Sequence, residues 1–470
     1  MIIQNFDDIK KRFKQINKDV VGIGVTAFNR VGSEDFLPNY KIICLRNSKD
    51  NILIRKNAKV LCISKKEGSN LLKRKRNTAN ILKAKTTKNY INKLGNPHLL
   101  LYKYTKSVIK VTDKMGWTNI VGNNLYEMDV KMGKIGFREI LEELKLKPIP
   151  WKVKFFSKMK YTSMKKLFGN FVVQVPGTSG GKGTFFINSD DDFKKMKEVV
   201  KERYGDGRAV VSKFVKGPSP SLTCCVTKHG TLYTNLQYQL LDIPEVLNSD
   251  IGSGVFAGHD WESARFPKNI REQAYNYAHK IGEYMRERGY RGIFGIDMLM
   301  DQKKKNIYPI ECNFRMLGSF PTITMIQSIN GEIPFLALHI LEFLGEDYQL
   351  DYERVNRLSK KHKPGAHLLI TNKFNDPVKV WGDVEPGVYS FKNGELVFKR
   401  YAYHMRSLKN TDDVLICDGV PYRGAVFNTH QRIMRLITLR SMRDPKTGKL
   451  NKWASELTEK VYEKLNLKFT

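Results

Sequence analysis

The sequence predicts a mixed chain, α/β at its start and α+β further on, and three observations lead there. Val20-Val21-Gly22-Ile23-Gly24-Val25 and Lys41-Ile42-Ile43-Cys44-Leu45 are short, nearly continuous apolar runs, the pattern of buried strands in an α/β unit. Phe171-Val172-Val173-Gln174-Val175 and Phe185-Phe186-Ile187 flank a glycine-rich loop, which makes a hairpin. From 365 to 427 short apolar runs alternate with Gly, Pro and Asn, the mark of a mostly β module. With 470 residues, 41% of them hydrophobic, the chain can build large cores. Its length corresponds to about two to four domains.

Spacing places the elements between. Ile135, Phe137, Ile140, Leu141 and Leu144 recur at helical intervals over 134–147, and Pro148 and Pro150 stop that helix. A domain boundary falls before it, near 125. Ser189 caps a helix that opens with Asp190, Asp191 and Asp192 and turns Phe193, Met196, Val199 and Val200 inward. Ile270, Ala274, Ala278, Ile281 and Met285 form one stripe of a helix over 268–288. Strands are expected over 292–299 and 307–313 with a charged turn between, then a helix over 333–344 and helices at the end of the chain.

Charge and cysteine usage exclude several classes. The formal charge is +34, from 81 Lys and Arg against 47 Asp and Glu, and it is lopsided. Residues 1–170 hold 37 basic and 13 acidic side chains, an excess of 24, while 171–470 hold 44 and 34. Two segments carry much of it: 65–93, with ten basic residues including the run Lys73-Arg74-Lys75-Arg76 and one acid, and 145–166, with eight Lys and no acid. Such density is either a solvated surface or the footprint of an acidic partner. No zinc finger, ribonucleoprotein signature or helix-turn-helix accompanies it, so nucleic acid is not the expected partner. The six cysteines show no metal spacing; Cys224 and Cys225 are expected to pack on opposite faces of a strand. The first 13 residues hold two acids and no apolar block, and no run reaches membrane-spanning length, so a cytoplasmic protein without a membrane partner is expected. Gly22 and Gly24 begin a dinucleotide fingerprint that Ala27 and Phe28 fail to complete.

Two constellations carry chemistry. The loop Pro176-Gly177-Thr178-Ser179-Gly180-Gly181-Lys182-Gly183-Thr184 exposes several backbone N–H groups able to surround phosphate oxygens. It is not a Walker loop, because Gly183 follows Lys182 and a strand comes next. Downstream, Asp297 lies on one strand while Glu311 and Asn313 share a face of the next. Two carboxylates and an amide beside a phosphate loop suit Mg²⁺, and Arg315 reaches the same side to neutralise a phosphoryl group. Gln237, Gln239 and the segment His259-Asp260-Trp261, read as a glycine-bounded loop, are further pocket candidates, with His259 a conceivable base.

At these residues the chain resembles the ATP-grasp superfamily, in the order glycine-rich hairpin, hinge, Gly-x-Asp strand and Glu-x-Asn-x-Arg strand. The resemblance implies an ATP-grasp fold: a pre-ATP-grasp α/β domain over 1–125, two grasp lobes over 126–345 hinged near 211–217, and over 346–470 a mostly β module like that of biotin carboxylases, with terminal helices. It implies that ATP and Mg²⁺ are the cofactors, with room for a second ion and for Mn²⁺ as a substitute. Asp297, Glu311 and Asn313 would bind the metal, and Arg315 and Lys182 would act on the reacting groups. Gly180, Gly181, Lys182 and Gly183 would hold phosphate, Lys134 would match an upstream phosphate lysine with Lys131 competing, and Lys213, Phe214 and Val215 would meet adenine. The chain departs from the family at Gln174, where most members carry a phosphate-binding lysine, so Lys182 is expected to supply that charge. Ser212 stands where an acid often reads adenine, and Phe314, in place of a small residue or proline, is expected to alter the substrate side of the pocket. The implied activity is an ATP-dependent ligase that activates a carboxylate as an acyl phosphate and joins it to an amine, one substrate being acidic; a homodimer is compatible with it. A bicarbonate-activating carboxylase or carbamoyl-type enzyme, and a non-catalytic nucleotide- or nucleic-acid-binding protein on the same scaffold, are the alternatives.

Overall fold

A computed structural model describes residues 2–68, 77–125, 132–178, 183–248, 254–303 and 305–470. The first layer is a five-stranded parallel sheet: β1 (Val20–Gly24), β2 (Lys41–Cys44), β3 (Lys59–Cys62), β4 (His98–Leu100) and β5 (Ile120–Val121). Its order is β3-β2-β1-β4-β5, so the direction of winding reverses between β1 and β4. All residues of β1 and β2 are buried, as continuous apolar runs require when helices cover both faces. Gly22 is needed for packing: a Cβ there would sit 2.2 Å from the Tyr40 hydroxyl and 2.9 Å from the Arg30 Cβ. The incomplete fingerprint therefore reflects a close approach of side chains across β1.

The second layer is a small antiparallel sheet of β6 (Trp151–Phe155), β7 (Phe171–Gln174), β8 (Thr184–Ile187) and β9 (Arg208–Lys213), in the order β6-β9-β7-β8. Phe171 and Val173 face a core shared with Phe193, Met196 and Val200, while Val172 and Gln174 are only half-buried on the opposite face. The helix supplying that core, Asp190–Arg203, starts in a capping box: Ser189 Oγ accepts from Asp192 N–H at 3.1 Å, and the Asp192 carboxylate accepts from Ser189 N–H at 3.0 Å.

The third layer is a sheet of eleven strands. β10 (Pro220–Thr227), β11 (Gly230–Tyr233), β12 (Gln237–Leu241), β13 (Phe256–Asp260), β14 (Gly292–Asp301) and β15 (Asn306–Asn313) lead into β16 (Ala366–Thr371), β17 (Gly387–Lys392), β18 (Glu395–Tyr401), β19 (Asp413–Cys417) and β20 (Arg432–Thr438). The order is β15-β14-β10-β12-β13-β16-β20-β19-β17-β18, with β11 paired to β10. The ladder runs unbroken through β13 and β16, where Gly258, His259 and Asp260 pair with Leu368, His367 and Ala366. The striped helix, Lys268–Glu287, lies on this sheet, and Gly282 lets it approach Thr231, whose Cγ2 would be 2.2 Å from a Cβ. As expected, Cys224 and Cys225 pack into two different cores on the faces of β10.

Two elements depart from the spacing. The first helix covers only Gly136–Glu143, because Lys145 turns left-handed at φ 56°. A helix over Phe320–Ile329, with Pro321 in its first turn, was not expected; most of its side chains are buried, so no amphipathic period marks it. No helix among the described residues is long and apolar enough to cross a membrane.

Candidate functional site

The site forms on the hairpin of β14 and β15. Asp297 stands opposite Glu311 in the register and Gly295 opposite Asn313, so the three polar side chains converge on one face. Asp297 Oδ2 accepts from Asn313 Nδ2 at 2.8 Å, and its Oδ1 accepts from Gln239 Nε2 at 2.9 Å. Gln239 is fixed in turn by Ser219, whose hydroxyl donates to its carbonyl at 2.9 Å. Arg315 donates to Asn313 Oδ1 and to the Tyr102 hydroxyl, both at 2.7 Å, and so ties the hairpin to the loop after β4. Burial and the facing Glu311 carboxylate push Asp297 up to about 7, although Arg315, Asn313 and Gln239 pull the other way. Two carboxylates that repel each other in this way call for a cation between them.

A second group of charges arrives from the helix Gly136–Glu143 and the residues just before it. Lys134 Nζ donates to the Val175 carbonyl at 3.2 Å and to Thr178 Oγ1 at 3.0 Å, at the foot of the glycine loop. Gly183 makes room for Thr178, since a Cβ there would lie 2.2 Å from Thr178 Oγ1. Arg138, one turn on, donates to the Lys134 carbonyl at 2.6 Å and to Gln174 Oε1 at 2.8 Å. It is 4% exposed, and burial pushes its guanidinium down to about 10 while Glu311 pulls it up. Lys134 is likewise pushed down by burial, drawn up by Glu311 and repelled by Arg138. The helix and the residues just before it thus bring two cations, and the large sheet two carboxylates, to the same cleft.

The structure brings together Lys134, Gln174, Gly183, Asp297, Glu311, Asn313 and Arg315. Gly180, Gly181, Lys182, Lys131 and the run Lys73 to Arg76 lie outside the described residues. Lys213, Phe214 and Val215 lie at the other end of the small sheet: Lys213 ends β9 opposite Phe171, whereas Gln174 stands opposite Val210. Only Lys213 of the three is in a strand, and Phe214 packs edge-on against Phe186 at 5.8 Å. Phe314 is 6% exposed in the core cluster that holds Phe294 and Met298, and it also lines a small pocket with Tyr102 and Arg315. His259-Asp260 is strand, not loop, and both residues are buried. Asp260 accepts from Met442 N–H at 2.8 Å and Arg443 N–H at 3.0 Å, and burial and Arg435 push His259 down to about 3. Gln237 is fully buried and accepts from Trp261 Nε1 at 2.6 Å. Sequence reasoning missed Arg138 and Tyr102. The only local sign of Arg138 was a charge four residues after Lys134, within an apolar stripe.

The donors present fit a hard divalent cation. Among the described residues no His or Cys and no third carboxylate joins Asp297 and Glu311, which suits an ion that keeps waters and takes phosphate oxygens. Residues 133–319 match the sequence profile of ATP-grasp domains. The chain carries an ATP-grasp domain. A curated relative, the [butirosin acyl-carrier protein]–L-glutamate ligase of Niallia circulans, is 25% identical over 199 residues, covering 40% of this chain and 45% of that protein. Among solved structures, the biotin carboxylase β-γ-ATP complex from Campylobacter jejuni is similar at a TM-score of 0.61 and 13% identity, covering 96% of this chain and 92% of that one. Phosphoribosylamine–glycine ligase from Thermotoga maritima follows at 0.58 and 12%, covering 96% and 97%. The ATP-grasp fold therefore extends through the N-terminal parallel sheet and the C-terminal β module.

Proposed function

We propose that this chain is an ATP-dependent ligase that phosphorylates a carboxylate and transfers the resulting acyl group to an amine, releasing ADP and phosphate. The observation that carries this reading is the convergence of Asp297, Glu311, Asn313 and Arg315 opposite Lys134 and Arg138. Asp297 and Glu311, with Asn313 Oδ1, would hold Mg²⁺ between them, one or two ions with Mn²⁺ as a substitute. The metal would neutralise phosphate oxygens during transfer. Lys134 anchors the loop that would cover the phosphates and is placed to point its charge at them. Arg138, through Gln174, brings a guanidinium to the place where the family's lysine is missing, so the charge need not come from Lys182 alone. Arg315, held by Tyr102 and Asn313, is set to steady the carboxylate as charge moves onto it. With boundaries near 125 and 345, ATP would lie between the small and large sheets, and Lys213 to Val215 would be on the adenine side. The relative that joins L-glutamate to an acyl-carrier protein supports amide formation. No side chain is required as a nucleophile.

The test is ADP release from MgATP with a pooled set of carboxylic acids and amino acids, followed by mass spectrometry of the amine that gains an acyl group. Release that depends on the pool and disappears in Glu311→Ala supports the ligase. Release that depends on bicarbonate alone would move the activity to carboxylation, and none under any pool would reject the reading.

A further inference from the structure

A cavity of about 390 Å³ lies at the carboxyl ends of β1 and β4, lined there by Gly24, Tyr102 and Lys103 and closed by Leu317 and Gly318, the residues just beyond Arg315. This is where the winding of the parallel sheet reverses, the place at which open α/β sheets leave a crevice. Four cations line it, Arg30, Lys103, Arg432 and Arg435, and no Asp or Glu does so among the described residues. One carboxylate stands behind them: Asp418 accepts from Arg435 Nε at 3.1 Å and pairs with Arg432 at 3.3 Å. Arg30 receives no such partner. It is 5% exposed, its Nη1 donates to the Asn29 carbonyl at 2.6 Å, and its Nε is buried without a partner. The titratable groups that face it are Tyr40, Tyr102 and Arg432; burial and Arg432 push its guanidinium down to about 10. A buried cation without a carboxylate is strongly unfavourable. The sequence nonetheless clears a seat for it by placing Gly22 under its side chain.

We infer that this cavity binds the substrate through an anionic group, a carboxylate or a phosphate, seated between Arg30 and Arg432 and separate from the carboxylate that reacts at Arg315. The geometry supplies the second contact point. Tyr102 donates neither charge nor carboxylate, yet Arg315 lies 5.2 Å from its ring and Arg30 5.9 Å. A small acid with two anionic ends would span this tyrosine, one end at Arg315 and the other at Arg30. The inference rests on the ligase reading for which end reacts, but not for the existence of the anion site.

The experiment uses the full chain without ATP, titrated calorimetrically with inorganic phosphate, with succinate and with butyrate. Phosphate or succinate binds the wild type, Arg30→Gln weakens it roughly ten- to a hundred-fold, and Arg30→Lys restores part of the loss. Butyrate, with one charge, shows no dependence on Arg30. A preference for phosphate over succinate, or the reverse, identifies the anionic group. MgADP binding reports that each variant is folded, and Arg432→Gln replaces Arg30→Gln if the latter is not. Equal binding of phosphate and succinate by wild type and folded variants, or none by either, overturns the inference. Phosphate binding that depends on Arg30 in a protein that releases no ADP with any acid pool would keep the anion site and reject the ligase. ADP release whose KM for the acid is unchanged by Arg30→Gln would do the opposite.

Discussion

Two buried charge centres in this molecule are built in opposite ways. At Asp297 two carboxylates face each other with one arginine nearby, and burial with Glu311 pushes the acid up. At Asp418 a single carboxylate, fully buried, accepts from Arg435, pairs with Arg432 and receives Thr26 Oγ1 at 2.7 Å and Asn29 Nδ2 at 3.0 Å. There burial raises the acid, but Arg432 and Arg435 outweigh it and hold the carboxyl below its usual range. The first centre sets carboxylate against carboxylate, and the second is surplus in cations. The first is therefore suited to receiving metal, while the second clamps the N-terminal sheet to the C-terminal module and leaves positive charge for a ligand. Buried charge is functional where it is left incomplete and structural where it is closed.

Replacing one acid at each centre should separate the two roles. Glu311→Ala is expected to lower ADP release at least about a thousand-fold, since the metal and the developing phosphoryl charge lose their support. Its urea midpoint should change little, because relief of the repulsion with Asp297 is offset by the loss of the anion that faces Arg138 and Lys134. Asp418→Asn is expected to do the reverse. Stranding Arg435 and Arg432 without their anion should cost about 3–5 kcal/mol in urea unfolding, as breaking a buried pair does. Because the folded Asp418 carboxyl is depressed, its contribution is complete above the unfolded value of about 4 and is lost as pH falls through the lower folded value. The gap between wild type and Asp418→Asn should thus be constant from neutral pH to about pH 5 and close only below about pH 4.

Smaller effects test the cleft between the sheets. Arg138→Gln should weaken MgADP binding by roughly ten-fold, read by calorimetry, with Arg138→Lys recovering part of it. An unchanged affinity would return Arg138 to a structural bond with Gln174. His259→Gln should change ADP release by less than about three-fold and leave its pH profile in place, where a true general base would cost a hundred-fold or more. A shifted profile would show that this histidine, neutral here because burial and Arg435 disfavour its charge, titrates after all.

How much of this was legible depended on distance along the chain. Asp297, Glu311 and Asn313 could be read because polar residues two apart, on strands otherwise apolar, must share a face. Gln174 could be read as a departure, but the Arg138 guanidinium on its amide could not, since 36 residues and a sheet–helix packing separate them. The anion cavity was invisible for a stronger reason: Thr26, Asn29 and Arg30 meet Asp418 and Arg432 across nearly 400 residues, and no local pattern announces such a meeting. Each looked like an ordinary surface residue. The lopsided charge suggested an acidic partner but named none of the residues of this cavity. Among the described residues, only Arg30 and Lys103 of the excess in 1–170 line the cavity. The helix Phe320–Ile329 escaped because burial on all sides erases the period by which helices are recognised.

The unbroken ladder from β15 to β18 bears on how this protein can be dissected. Its C-terminal module is not an appendage on a linker but half of a sheet that begins at the hairpin of Asp297 and Glu311. Cutting the chain after 345 would strip β16 from β13 and open the backbone donors and acceptors of Gly258, His259 and Asp260 along a free edge. Edges of that kind recruit other chains. A truncated grasp domain should precipitate or pair with itself, whereas the small four-stranded sheet, which shares no ladder with the rest, can be replaced or rigidified as a unit without leaving an open seam in the large one.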